Sequence, residues 1–192
     1  DVELNIKLSK NLDELFTMLN TGKGDIIAYN LTVTPERKER AAFSKPHNYV
    51  KQVLVQRKPS DWRYMRASQL NKHLLRDPIN LDGDTVYIRR NSAYYDRLKN
   101  LEDEISGDIH IIQAEPNVET EELIKRVAEG KIDYTVADDN IARINQTYYN
   151  NIDVRTELSY SQKIAWAVRK NAPKLLDTLN HWISSVKGTR DY

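Results

Sequence analysis

A chain of 192 residues with 40% hydrophobic side chains can bury a core, either as one domain or as two small lobes. Its 29 Lys+Arg and 28 Asp+Glu leave a formal net charge of +1, without the basic excess on one face that a nucleic-acid binder usually shows. Cysteine is absent, which excludes disulfides, Fe–S clusters and thiol chemistry, and no apolar run approaches the ~20 residues that cross a bilayer, so no direct membrane insertion is expected.

Val2, Leu4, Ile6 and Leu8 alternate with polar residues and predict a half-buried strand. A chain that opens in mid-strand reads as trimmed, with targeting signals expected upstream. Asn11 is placed to cap a helix carrying Leu12, Leu15, Phe16 and Leu19, which Gly22 and Gly24 end. Ile26 to Tyr29 is a short apolar strand running into Asn30-Leu31-Thr32-Val33-Thr34, then Pro35 and a charged helical turn. Tyr49 to Arg57 is a longer β-rich run closed by Pro59.

Strand and helix then alternate. Strands are expected at Thr85–Ile88, Ile109–Ile112, Ile132–Ala137 and Lys163–Val168. Helices are expected at Ala93–Glu104 behind a Ser92 cap, at Thr120–Glu129, and from Asp139 to about Gln146 behind an Asp138 cap. Pro173 starts a last helix with Leu175, Leu176, Leu179, Trp182 and Ile183 on one face. This order predicts an α/β fold with a largely parallel sheet. Two lobes, if present, join through the β-rich runs at 49–57 and 158–168, which puts both chain ends in one lobe.

Catalytic signatures are missing. The four histidines (His47, His73, His110, His181) have no metal-ligand spacing, so no metal and no cofactor is expected. There is no GxSxG, P-loop or GxGxxG, and pairs such as Glu102/Glu104 and Glu121/Glu122 read as solvated helix faces. Basic stretches such as Arg37-Lys38-Arg40 and Arg89-Arg90 likewise read as solvated charge.

The informative segment runs from Gly24 to Arg37 and on to Phe43-Ser44-Lys45-Pro46. A strand ends here and presents Asn30 and Thr32 at its carboxyl edge, where open α/β sheets bind ligands. The planar fork of Arg37 suits a carboxylate. A polar loop with a surface arginine explains the same residues from physics alone.

Asp25, Thr32, Thr34, Arg37, Phe43, Ser44 and Pro46 together resemble the signature of the amino-acid-type periplasmic solute-binding family, with a departure at His47, where the family usually has another aromatic. The resemblance implies a type II, two-lobed α/β fold that closes over a small zwitterionic or peptide-like ligand through a two-strand hinge. It implies that Arg37 grips a ligand carboxylate, helped by Asn30 and Thr32. Val86 to Ser92 resembles the family's strand-to-helix turn, where helix N–H groups face an anion. Ala93 and Arg90-Asn91 depart from the residues usual there. Asp138 matches the carboxylate that takes a ligand amino group, and a plain N-cap is its other reading.

Glu122-Leu123-Ile124, Val127 to Asp138, and Ala165 to Lys170 with the following Pro173 helix resemble the binding domain of the membrane-bound lytic transglycosylase F branch. That likeness implies a non-catalytic sensor in the periplasm, ahead of a peptidoglycan-cleaving domain in a parent anchored to the outer membrane. No glutamate is followed by serine, so the catalytic Glu-Ser pair is absent from this chain and is expected beyond Tyr192. The family's first strand and helix are not matched. An incomplete first lobe is therefore expected from residues 1–52 and 164–192, with the second lobe from 53–163. A free-standing receptor for amino-acid transport, or a scaffold of the same fold that binds nothing small, are the rival expectations.

Overall fold

The computed structural model describes residues 3–9 and 11–187, and these fall into two compact units, 1–49 with 162–192 and 50–161.

In the first unit, Asn11 caps helix α1 (Leu12–Asn20), its Oδ1 accepting from the Asp13 and Glu14 N–H groups at 2.9 and 3.4 Å. The buried face of α1 is Leu12, Phe16 and Leu19, which pack on Ile27, Leu31 and Ala167. Strand β1 (Ile26–Thr32) leads to helix α2 (Pro35–Arg40) and the short strands β2 (Ala42–Phe43) and β3 (Asn48–Val50). The unit closes with strand β9 (Gln162–Val168) and helix α7 (Pro173–Val186). β9 is the centre of the sheet: β1 and β2 flank it antiparallel, and β3 also pairs with it. Helices cover both sheet faces, because α7 sets Leu179 and Ile183 against Val168 while α1 lies over Ala167. Trp182 departs from the expected buried face. It is 51% exposed and stacks on Trp166 at 5.6 Å.

The strand expected over residues 2–8 is a correction. Val2 lies outside the described residues, and from residue 3 to 9 no strand forms: Leu4, Ile6 and Leu8 are 82, 72 and 93% exposed. Alternation gives a segment two faces, but a strand also needs a neighbouring edge for its N–H and C=O groups. The described contact here is a side-chain one, Lys7 Nζ donating to the Lys23 carbonyl at 3.0 Å.

The second unit holds strands β4 (Gln52–Arg57), β5 (Thr85–Ile88), β6 (His110–Gln113), β7 (Tyr134–Asp138) and β8 (Ile152–Glu157), in sheet order β6-β5-β7-β4-β8. Its helices are α3 (Ala67–Lys72), α4 (Tyr94–Ile105), α5 (Thr120–Ala128) and α6 (Asp139–Tyr148). Strands β4, β5 and β7 pack apolar side chains on both sides of the sheet, whereas the edge strand β6 is largely exposed. Leu54, Val86, Ile88 and Val136 meet Leu98 and Leu101 of α4 on one side. Val53, Val55 and Ala137 meet Ile124, Val127 and Ala142 of α5 and α6 on the other. Each such Val, Leu or Ile contributes about 1.5–3 kcal/mol by leaving water, and a strand buried on both faces reads as a continuous apolar run, as Val53-Leu54-Val55 does.

In the second unit only β6-β5-β7 pair in parallel; β4 runs antiparallel to both β7 and β8, and in the first unit β1 and β2 run antiparallel to β9. The expectation of a largely parallel sheet is thus corrected. Helical crossovers enforce parallel strands only where the chain returns through a helix, and β4 enters its sheet straight from β3, without one. Strand β8 was not foreseen. Its Asp153 looks like a surface residue in sequence but is 1% exposed, held by Arg76 at 2.6 Å and Arg155 at 2.8 Å. Burial alone would raise its pKa; the hydrogen bonds from the two arginines outweigh that and hold it below the usual carboxylate range.

Candidate functional site

The first unit carries Asn30, Thr32 and Arg37. All three come from one turn of chain, the end of β1 and the start of α2. Thr34 accepts the Arg37 N–H on its Oγ1 at 3.2 Å, capping α2, and Pro35 occupies the first helical position. The backbone so fixed folds Arg37 back on the strand it just left. Its Nη1 donates to the Thr32 carbonyl at 3.0 Å, and the residue is only 9% exposed. Thr32 is buried at 6%, whereas Asn30 is exposed on the strand. β1 is irregular between Ile27 and Leu31, where one residue of β9, Trp166, faces three of β1. A guanidinium drawn out of water at the carboxyl end of a strand is a strong receiver for a carboxylate, since both charges lose screening together.

Other residues of the same signature do structural work. Asp25 accepts from Arg169 Nη2 at 2.7 Å, while Arg169 Nη1 also donates to the Gly24 carbonyl at 2.6 Å. Ser44 donates its N–H to the Trp166 carbonyl at 2.9 Å and accepts the Trp166 N–H on Oγ at 3.1 Å, extending the β2–β9 pairing. His47 lies beside Trp166 with ring centroids 5.8 Å apart, and its pKa is lowered by burial and by the charge of Lys187.

The second unit carries Ser92 and Asp138. They lie at the carboxyl ends of β5 and β7, which are adjacent and parallel, with Val86 opposite Tyr134 and Tyr87 opposite Thr135. The expected Ser92 cap is corrected. Helix α4 starts at Tyr94 with Ala93 as its N-cap and no side-chain cap; Asn91 adopts φ 56°, which turns Ser92 so that its Oγ donates to the Arg89 carbonyl at 2.7 Å. Asp138 occupies the N-cap position of α6 yet makes no side-chain cap hydrogen bond to it. Asp139 instead accepts the Lys51 N–H at 3.1 Å on its side chain and donates its own N–H to the Lys51 carbonyl at 2.8 Å. Asp138 is 7% exposed, opposite the fully buried Gln52 of β4. Its carboxylate is thus placed at a strand end, next to a helix start, by elements remote in sequence.

Tyr94 is the residue that sequence reasoning missed here. Its hydroxyl accepts the Asp138 N–H at 3.2 Å, so the first residue of α4 is tied to the end of β7. The available signal was an aromatic at the helix start; in the structure Tyr94 is 6% exposed. Arg89 pairs with Glu119 at 2.9 Å, and Arg90 Nε donates to the Ala114 carbonyl at 3.2 Å, which fixes the turn before Ser92. Among the described residues no group of three or more His, Asp or Glu side chains is arranged to hold a metal ion, and no helix is long and apolar enough to cross a membrane.

Comparison with known proteins bears on the family and the fold. The chain is 35% identical over 186 residues to a membrane-bound lytic murein transglycosylase F from Desulfosudis oleivorans, covering 97% of this chain and 38% of the relative. It therefore spans little more than a third of that relative's length. Among solved structures it is similar to the substrate-binding protein of an amino acid ABC transporter, with a TM-score of 0.78 and 21% identity over 97% of this chain and 75% of the other. It is also similar to an ancestral arginine-binding protein bound to arginine, with a TM-score of 0.73 and 21% identity over 92 and 71% of the two chains. At those identities the structures establish the fold, that of type II periplasmic amino-acid-binding proteins. Residues 1–192 match the family described as bacterial extracellular solute-binding proteins, family 3, and the chain belongs to that family.

Proposed function

We propose that this chain is the sensing module of a peptidoglycan lytic transglycosylase. It binds a small amino-acid-like or muropeptide-like ligand and does not itself cleave the wall. The observation that carries the reading is Arg37, a guanidinium buried at the carboxyl end of β1 with its Nη1 on the Thr32 carbonyl. In this reading Arg37 receives a ligand carboxylate, with Thr32 and Asn30 beside it. In the other unit Asp138 receives a positive group and the Ser92 turn at the start of α4 faces the ligand's anionic end. The transglycosylase relatives favour this role over that of a transport receptor. The parent protein would act in the periplasm from an outer-membrane anchor, with the cleaving region as this chain's partner.

The test is calorimetry on the full-length parent, titrated with single amino acids and with stem-peptide muropeptides, alongside its wall-cleaving rate. Saturable binding that changes the rate is expected. Binding of neither class, or binding that leaves the rate untouched, refutes the sensing role. The isolated chain should release no muropeptides from sacculi.

A further inference from the structure

The formal balance of charge hides one concentration. Between residues 57 and 76 there are six basic side chains (Arg57, Lys58, Arg63, Arg66, Lys72, Arg76) and a single acidic one, Asp61, so the remainder of the chain is net acidic. The stretch lies wholly in the second unit, from the end of β4 through a 3-10 turn (Trp62–Tyr64) and α3. Arg76 is used internally, on Asp153. Arg63, Arg66 and Lys72 are exposed and make no ion pair among the described residues, whereas Arg143 and Arg155, exposed elsewhere in the same unit, pair with Asp139 and Asp153.

Aromatic groups interleave with these charges. Lys58 Nζ sits 4.2 Å from the Trp62 ring centroid and Arg63 5.5 Å from it, so cations cover that indole. Tyr64 next to it is 92% exposed. Beside Tyr64 lies a groove of about 290 Å³ lined by Asp61, Tyr64, Met65, Gln69, Lys72 and His73. Gln69 is held in place, its Oε1 accepting the Arg66 N–H at 2.9 Å.

We propose that this basic, aromatic surface docks an anionic glycan strand of the cell wall, a second contact separate from the small-ligand site. The choice of polymer rests on the wall-directed reading above. The chemistry of the groove favours a carboxylate-bearing glycan over a lipid surface. Interfacial anchoring draws on exposed aliphatic and aromatic area, and here Tyr64 is the one strongly exposed apolar ring, since Trp62 is covered by cations and Met65 is half-buried. A sugar ring presents a C–H face to Tyr64 and hydroxyls to Gln69 and His73, while Arg63, Arg66 and Lys72 meet the carboxylates of the attached peptides.

The experiment is co-sedimentation of the 192-residue chain with purified murein sacculi, at low and raised salt. Arg63→Glu, Arg66→Glu and Lys72→Glu together should weaken sedimentation by at least about tenfold, and Tyr64→Ala should weaken it measurably with the charges intact. Unchanged melting of each variant shows that the fold is kept; if the triple variant melts early, the exposed Tyr64→Ala decides. Reversing Lys23, Lys170 and Lys174 in the other unit should leave binding within about twofold. No sedimentation of the wild type overturns the proposal, as does an equal loss on reversing the other unit's lysines. Tighter binding to phosphatidylglycerol vesicles, lost in the same variants, overturns it in favour of a lipid. Soluble-ligand calorimetry reads the small-ligand site and sacculus sedimentation reads this surface, so failure of the small-ligand reading and failure of the docking surface show in different assays.

Discussion

The two candidate ligand corners are built by opposite strategies. The Arg37 corner is local: Thr32, Thr34 and Arg37 lie within six consecutive residues, and their mutual hydrogen bonds are contacts along one turn of chain. The Asp138 corner is assembled from three places. Lys51 at the start of β4, Tyr94 at the start of α4 and the Asp138-Asp139 pair are tied by hydrogen bonds spanning 88 and 44 residues of sequence. A local corner is set by turn chemistry and survives small changes elsewhere. An assembled corner exists only while its sheet and helices hold their register.

That contrast is open to measurement. The largest effect is expected at the local corner, on binding: in the full-length parent, Arg37→Ala should cost about 2–5 kcal/mol of ligand affinity by calorimetry. Arg37→Lys should bind poorly as well, because an ammonium lacks the planar fork. Wild-type affinity in a folded Arg37→Ala protein would sink the assignment. At the assembled corner Asp138→Asn should cost roughly 1.5–3 kcal/mol for zwitterionic ligands and less for simple carboxylates. A large drop in the melting temperature of the same variant would make Asp138 structural.

Stability distinguishes the corners next. Tyr94→Phe removes the acceptor of a buried N–H and should destabilise the second unit by about 1–3 kcal/mol in urea titrations. Thr34→Ala removes one helix cap and should cost about 1 kcal/mol in the first unit. If Thr34→Ala proves the more damaging, the local corner is less self-contained than its hydrogen bonds indicate.

The smallest effect appears only in acid. Asp153 has its pKa depressed in the folded second unit, so its stabilisation is complete above the unfolded carboxylate value, about 4. It is lost as pH falls from there through the lower, folded value. Unfolding free energy measured across that window should slope downward in the wild type and more gently in Asp153→Asn. Parallel slopes would show that Asp153 is not the group responsible.

What could be read from sequence follows the same division. Helix α1 and its Asn11 cap, the Thr85–Ile88 strand and the Arg37 turn depend on neighbours a few residues away, and the residue pattern declares them. Strand β8 was hidden because its buried Asp153 is satisfied by Arg76 from 77 residues earlier. Ser92 and Asp138 are at strand ends as expected; Asp138 holds the N-cap position of α6 without a side-chain cap, and Ser92 does not cap α4, because the backbone at Asn91 turns it away. Leu4, Ile6 and Leu8 show the converse failure, a clear local pattern with no partner edge to realise it. A formal charge of +1 over the whole chain averages away the basic stretch from Arg57 to Arg76.

Strand β9 sets an order of events during synthesis. It is the strand on which β1, β2 and β3 all pair, and it follows the entire second unit in the chain. Residues 50–161 are contiguous and can reach their fold as soon as they emerge, whereas the first 49 residues must wait with unpaired β-edges until β9 arrives. Closing so long a loop is slow unless the intervening stretch is already compact, since a folded insert shortens the distance the ends must search. The second unit thus serves the first as an internal template for assembly, and mutations that delay it should surface as aggregation of the first unit's waiting strands.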